Sequence, residues 1–332
     1  PDIDKVYMNV CQMLTGSGGW PLTIIMTPER EPFFAGTYFP KTARFGRMGM
    51  MELVPRIREL WDTRREDLEK DAGKVVSALK ESSAAQPDTA ELGRDVLRQA
   101  FDGLAGRYDS SFGGFGEAPK FPTPHNIYFL LRWWKRSGDD RALEMAAGTL
   151  RHMRLGGIYD HVGFGFHRYS TDRRWHTPHF EKMLYDQALI AIACLETYQA
   201  TGEDLFARTA REIFTYVMRD LRSPDGAYYS AEDADVEGEE GKFYLWTRAE
   251  LDSLLGEDQF ELAMRVWGVT EDGNYFEEAS GQQSGDNVLH MQGAHGELAR
   301  ELGIDESELR GRLEEIRKIL FEAREDRVRP GL

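Results

Sequence analysis

The sequence predicts a mostly helical chain: a run of helical hairpins of the kind that closes into an (α/α) barrel, set behind a short α/β segment. Three observations predict it. From residue 89 onward, helical runs alternate with glycine- and aromatic-rich loops. Long excursions follow alternate helices, at 158–177 and 227–246. The tripeptide Thr-Pro-His stands at 123–125 and again at 177–179, each time ahead of a helical run.

In chain order, residues 2–14 read as a helix with Asp2 or Asp4 near its N-terminus, and "TGSGGW" reads as a loop. "PLTIIMTPEREPFFAGTYFP" reads as a hairpin, with "LTIIMT" and "FFAGTY" as strands and "EREP" as the turn. Helix, glycine loop, Trp20-Pro21, strand, turn, strand is the order of the second half of a thioredoxin-like fold. In that fold a cis-proline opens a strand, so Pro21 is the expected cis-proline; the alternative is a trans proline on an edge strand. Residues 51–85 read as a charged helical segment, and "SSAAQPDTAE" (82–91) as the linker. The expected domains are 1–45, partial thioredoxin-like; 46–86, helical connection and linker; and 87–332, partial (α/α) barrel.

Beyond the linker, helices are expected at 89–107, 125–136, 139–155, 178–201 and 203–222, with shorter ones from 247 and 305. Residues 183–198 are apolar almost all round, which predicts burial on most sides. A weak repeat runs through "GGF" (113–115), "GGI" (156–158) and "DGAYY" (225–229), each closing a helix. After each comes an excursion and a threonine that can cap the next helix: Thr123, Thr177 and Thr247. Threonine at the cap with proline in the first helical position is favourable, because the hydroxyl accepts an N–H and proline has none to orphan. Thr247 and Glu250 stand at capping-box spacing. The second excursion is expected to be a hairpin, "GAYYSAE" returning as "KFYLWT". Hairpins that start on a common side gather both excursions into one mouth.

The chain has 332 residues, a formal charge of −16, 41% hydrophobic residues and 30% charged residues. These values describe a globular chain. The charge and the lack of a basic stripe exclude a nucleic-acid partner. No apolar run is long enough to span a membrane. Cys11 and Cys194 form no Cys-x-x-Cys pair, which fits a reducing compartment, and a cytoplasmic location is expected. No cofactor is expected. The chain starts at Pro1 in mid-pattern and is expected to be an internal fragment of something longer.

The stretches "PDIDKVYMNVCQMLTGSGGWPLTIIMTPEREPFFAGTYFP", "GGFGEAPKFPTPHN", "GGIYDHVGFGFHRYSTDRRWHTPHFEKMLYDQA" and "YYSAEDADVEGEEGKFYLWT" resemble the thioredoxin-domain-containing proteins related to the spermatogenesis-associated thioredoxin-like family. The resemblance implies an N-terminal thioredoxin-like domain followed by an (α/α)6 barrel similar to N-acylglucosamine 2-epimerases and six-hairpin glycosidases. It implies that the family's cysteine motif lies ahead of Pro1, and that the barrel here is incomplete, with about four of its hairpins.

The densest chemistry lies in "HTPHFEKMLYD". His176, His179, Glu181 and Asp186 are the first candidate catalytic group. With Pro178 opening a helix, His179 and Glu181 would fall in its first turn and Asp186 on the same stripe as His179. The helix N-terminus would keep His179 neutral and able to act as a base. The alternative is local capping by the same side chains. Glu232 and Asp233 are further catalytic candidates, since glycosidases need two carboxylates; Asp235 through Glu240 read as a solvated acidic turn. His161, His167, Arg168, Trp175, Tyr185, His125 and Lys120 are candidate substrate-binding residues, with Trp175 the candidate to stack on a sugar. No metal is expected, because His176 and His179 straddle the expected helix start in a poor geometry for one ion. Three functions are open to such a chain: acid–base chemistry on a sugar-like small molecule by an epimerase- or glycosidase-like enzyme, thiol redox or client binding, and a non-catalytic scaffold. The sequence leaves the oligomeric state open.

Overall fold

A computed structural model describes residues 2–44, 46–83, 93–276 and 283–332. The chain divides into two compact units, residues 1–91 and 92–332. Most of the expected linker lies outside the described residues.

In the first unit, α1 (Asp2–Thr15) buries Val10 and Cys11 against Ala35. Ala35 belongs to β2 (Pro32–Gly36), which pairs antiparallel with β1 (Thr23–Met26). The long helix α2 (Met50–Ser83) kinks at Arg64, whose φ of −138° and ψ of 33° leave the helical range. The Trp20–Pro21 peptide is cis, as the element order predicts.

The second unit opens with α3 (Arg94–Ala105), α4 (Pro124–Ser137), α5 (Asp140–Leu155), α6 (Leu184–Thr201) and α7 (Asp204–Tyr216), the last running on into a π-helical turn at Val217–Leu221. The connections between α4 and α5 and between α6 and α7 are short. In each, a glycine (Gly138 or Gly202) in the left-handed region, φ 74°, ends the helix and donates its N–H to the carbonyl of Trp134 or Tyr198. The connections at the opposite end are long, so α4 and α6, which pack side by side, both start where the excursions gather. Among the described residues, four helices complete the unit: α8 (Arg248–Leu254), α9 (Glu257–Val266), α10 (His295–Leu302) and α11 (Glu306–Glu325). The architecture is an incomplete (α/α) barrel with small antiparallel ladders in its loops.

Three apolar clusters hold this unit. The first joins α3 through α7 around Phe101, Leu130, Leu150 and Ile213. The second joins α8 through α11 around Leu251, Trp267 and Ile316. The third packs Phe180, Tyr244 and Tyr275 between the loops.

Two expectations are corrected here. Helix α6 buries Ile190, Ala193 and Cys194, yet Leu189, Ile192 and Leu195 on its other side are exposed. Its all-round apolarity therefore does not mean all-round burial. Residues 178–183, expected as the first turn of that helix, are extended. Pro178–His179 (β4) pairs with Tyr169–Ser170 (β3), and Lys182–Met183 (β5) pairs with Ala231–Glu232 (β6). Partners on both flanks override the local helical preference.

The second excursion also differs from the expected hairpin. "YYSAE" pairs with Lys182–Met183 rather than with "KFYLWT". The acidic tip folds back on itself as β7 (Asp235–Val236) and β8 (Glu239–Glu240), while β9 (Trp246–Thr247) pairs with β10 (Asp286–Asn287). The Thr247–Glu250 capping box forms as expected at the start of α8. Thr123 does stand ahead of Pro124 at the start of α4, but its hydroxyl makes no cap; its carbonyl accepts the Asn126 N–H instead.

Candidate functional site

The loops at the long-connection end are anchored by two copies of one device. "YDSSFGGF" (108–115) and "YDHVGFGF" (159–166) align residue for residue as Tyr-Asp-x-x-x-x-Gly-Phe. In the first, the Asp109 N–H donates to the Gly114 carbonyl, and its carboxylate accepts the Ser111 and Phe112 N–H groups, Lys120 Nζ at 2.7 Å and Arg173 Nε at 2.7 Å. In the second, the Asp160 N–H donates to the Gly165 carbonyl. Its carboxylate accepts the Val162 and Gly163 N–H groups, Lys182 Nζ at 2.7 Å, and both Nη atoms of Arg324 at 2.9 and 3.0 Å. Each lysine also donates to a carbonyl of the turn, Gly113 or Phe164. Burial alone would raise Asp160's pKa, but the charges of Arg324 and Lys182 outweigh it and hold the carboxyl well below its ordinary range. The repeat of "GGF" with "GGI" is therefore out of register: 113–115 corresponds to 164–166.

The same ladder fixes where the two Thr-Pro-His segments lie. Lys120 and Ser170 exchange both backbone hydrogen bonds at 2.8 Å, and Ser170 pairs with Pro178. The two segments are thus at one end of the helical unit.

On this frame stands a compact polar group. The β3–β4 register sets Tyr169 opposite His179, and their rings stack at 5.0 Å. The exposed Phe121 ring stacks on Tyr169 at 4.8 Å. His179 Nδ1–H donates to Glu240 Oε1 at 2.6 Å, and its Nε2 lies 3.7 Å from Glu181 Oε2. Glu181 Oε2 accepts from Arg168 Nη1 at 2.8 Å, and the Arg168 N–H donates to the Glu181 carbonyl. Burial works to lower the His179 pKa, but the bond to Glu240 and the charges of Glu240 and Glu181 outweigh it, so the pKa is raised. This corrects the expectation of a helix terminus keeping the ring neutral: no helix begins there, and a carboxylate holds Nδ1.

Asp186, in the first turn of α6, is buried, and its Oδ2 has no hydrogen-bond partner among the described residues. Burial raises its pKa; Arg168 opposes that and Glu181 adds to it, leaving the carboxyl at about 7. Tyr185 beside it is exposed and close enough to help raise the Arg168 pKa. Glu240 also lines a cleft of about 960 Å³, together with Asp235, Tyr275, Asp286 and Arg327.

The other candidates lie elsewhere. Trp175 is fully buried, with Nε1 donating to the Phe112 carbonyl, so it offers no stacking face; Lys120 is buried beneath it in the Asp109 pair. His167 is buried between Phe180 and Tyr244, with Nδ1 on the Phe180 carbonyl. Glu232 is buried, and its two oxygens accept the Tyr216 and Tyr244 hydroxyls, which leaves no free carboxylate for catalysis. Asp233 is exposed on the loop, its N–H donating to the Gly331 carbonyl and its Oδ1 accepting the Asp235 N–H. His176 packs on His290 at 4.2 Å, and its backbone N–H donates to Asp172. His161 is buried against Arg154, while His125 is exposed in the first turn of α4. Of the candidates, the structure brings together His179, Glu181, Arg168, Asp186 and Tyr185.

The residue that sequence reasoning missed is Glu240, read as solvated. It lies 61 positions from His179 and carries no motif; its only signal was membership of an excursion expected at the mouth. Among the described residues, no group of three or more His, Cys, Asp or Glu side chains is placed to hold a metal ion, and no helix is long and apolar enough to cross a membrane.

Among known proteins, residues 1–80 match the family model Thioredox_DsbH, described as a protein of unknown function, DUF255. Spermatogenesis-associated protein 20 of Homo sapiens is 40% identical over all of this chain and 45% of its own length; its Rattus norvegicus counterpart is 38% identical over the same shares. The chain thus spans less than half the length of the curated relatives it matches. A sugar epimerase from a ruminal bacterium superposes on 68% of this chain and 70% of its own at 18% identity, with a TM-score of 0.38. A likeness that low assigns neither a substrate nor a reaction.

Proposed function

The chain belongs to the family of thioredoxin-domain-containing proteins related to spermatogenesis-associated protein 20, and from that premise we propose that its helical unit acts on a carbohydrate-like small molecule by acid–base chemistry. The observation that carries the reading is the Asp186 carboxyl: buried, unpartnered at Oδ2, and titrating at about 7 beside the Arg168–Glu181 pair. A group poised near neutrality both gives and takes a proton, and a neighbouring carboxylate in a different environment supplies the complementary role. In this reading Asp186 is the general acid, Glu181 the base held by Arg168, and His179, tied to Glu240, a donor to a substrate oxygen. Phe121 and Tyr169 offer a partly exposed aromatic face, which suits the C–H face of a sugar ring. The carboxylates and Arg327 lining the cleft at Glu240 suit hydroxyl groups.

The test is calorimetric titration of the protein with a panel of mono- and disaccharides, with product analysis by NMR. Saturable binding that weakens at least about tenfold in Asp186→Asn and His179→Ala supports the reading. Absence of heat for every sugar, with no change in either variant, sinks it.

A second reading, thiol redox or client binding by the first unit, is favoured by the match of residues 1–80. Cys11 and Cys194 are both buried, so such chemistry would need another thiol. An insulin-reduction assay that stays at background for every length of the protein tested would remove it.

A further inference from the structure

A second cavity, of about 270 Å³, lies between α5, α7, α10 and α11 and shares no residue with the His179 group. Four guanidinium groups line it: Arg154 from α5, Arg208 from α7, and Arg310 and Arg317 from α11. Three are matched. Arg154 Nη2 donates to Glu212 at 3.0 Å, Arg317 makes two bonds to Glu314, and Arg310 pairs with Glu306, with Asp204 3.8 Å away. Arg208 is paired only loosely, without a hydrogen bond among the described residues. Its nearest carboxylate oxygen, Glu212 Oε1, is 3.9 Å from Nε. The other Glu212 oxygen is occupied by Arg154 and by the Tyr159 hydroxyl at 2.7 Å.

Unused donors accompany this loosely held cation. Arg154 Nε and Arg310 Nε are buried without a hydrogen-bond partner among the described residues, and the His295 ring lies on the same wall. Buried donors left unpaired are costly, and a concentration of them at one hollow calls for an acceptor. Four guanidinium groups against two carboxylates, Glu212 and Glu314, in the lining suit an anionic acceptor. Burial and the charges of Arg154, Arg208 and Arg310 push the His295 pKa down to about 3, and burial with Arg310 and Arg154 lowers that of Arg208 itself. This stands in a chain of net charge −16, so the patch is not an average property of the surface.

We propose that this cavity binds a phosphoryl oxyanion, either free phosphate or the phosphate of a small monoester. The guanidinium groups come from three helices and so reach an anion from several directions. A tetrahedral oxyanion presents acceptors that way, whereas a carboxylate presents them in one plane. Trp267, Met291 and Leu313 form an apolar wall on which the organic part of a monoester would lie.

The experiment is calorimetric titration of the protein, at low ionic strength, with inorganic phosphate, glucose 6-phosphate and acetate. The expected result is saturable one-to-one binding of a phosphate-bearing ligand, at least about tenfold weaker in Arg208→Gln and partly retained in Arg208→Lys, with acetate inert. Tighter binding of glucose 6-phosphate than of phosphate assigns the monoester; equal binding assigns the free ion. No saturable heat up to about 10 mM, acetate binding as well as phosphate, or equal affinity in Arg208→Gln overturns the proposal. Should Arg208→Gln fail to fold, the wild-type melting temperature decides: it must rise with phosphate relative to chloride at matched ionic strength, and no rise overturns the proposal.

Discussion

His179 and Glu240, 61 residues apart, are joined by a hydrogen bond of 2.6 Å from the imidazole Nδ1 to a carboxylate oxygen. One residue comes from β4 and the other from β8, so the bond ties the acidic hairpin to the loop ahead of α6. It orients the ring, leaving Nε2 toward Glu181.

This bond sets a pH dependence. The folded pKa of His179 is raised above its ordinary 6.5, so the stability it contributes is fully present below the unfolded value and lost as pH rises through the folded one. In Glu240→Gln the His179 ring resonances should titrate at lower pH than in the parent, as read by NMR. An unchanged midpoint would mean that Glu240 does not govern the ring.

Asp186 has the opposite consequence for its class. Its folded pKa, about 7, lies above the ordinary 3.8, so the fold loses stability as pH rises from the unfolded value through the folded one. The loss is on the order of 4 kcal/mol over that window, at 1.36 kcal/mol per unit. Asp186→Asn should abolish it: urea midpoints of variant and parent converge near pH 4, and the variant is the more stable at pH 8. Parallel curves at all pH values would show that the carboxyl is solvated.

Much of the helical frame was legible because it is written locally. Periodic apolar runs, Gly138, Gly202 and the Thr247–Glu250 spacing each specify structure within a few residues. What failed is what depends on partners far along the chain. The same tripeptide, Thr-Pro-His, opens a helix at 123 and an extended segment at 177, because Pro178 pairs with Ser170 and Lys182 with Glu232. Ladders of two residues leave no alternation to read. The candidate site was legible as a crowd of polar side chains but not as a geometry: Trp175, Lys120 and Glu232 look like ligand contacts until their partners are known. The "YD….GF" repeat was read out of register, as "GGF" with "GGI", and its function as an anchor depends on Arg173 and Arg324, which come from elsewhere in the chain.

Asp160 should be among the costliest positions to change. Asp160→Asn leaves Lys182 and Arg324 buried without their counter-charge, and breaking such a pair costs about 3–5 kcal/mol. Urea denaturation at neutral pH measures it. A loss below about 1 kcal/mol would show that water reaches the cluster.

The start of α8 offers a milder change. Thr247→Ala removes the hydroxyl that accepts the Glu250 N–H at 3.1 Å and should cost about 1 kcal/mol by urea denaturation. Thr123→Ala, lacking any such bond, should cost less than Thr247→Ala; the reverse order would contradict the cap geometry.

Gly163 tests whether the Asp160 cluster is as tight as its distances. A Cβ built there would lie 1.9 Å from Arg324 Nη2 and 2.9 Å from Asp160 Oδ2. One methyl group therefore has to push the Arg324 fork off the carboxylate, although Gly163→Ala alters no charge. The expected loss approaches that of Asp160→Asn, because in both cases a buried guanidinium loses its partner. Shortening the obstructing side chain should relieve the clash, so Gly163→Ala in an Arg324→Lys background should cost less than in the parent, a coupling measurable by a double-mutant cycle. Additive costs would mean that Arg324 already moves freely at that site, and that the cluster does not hold the 159–166 loop.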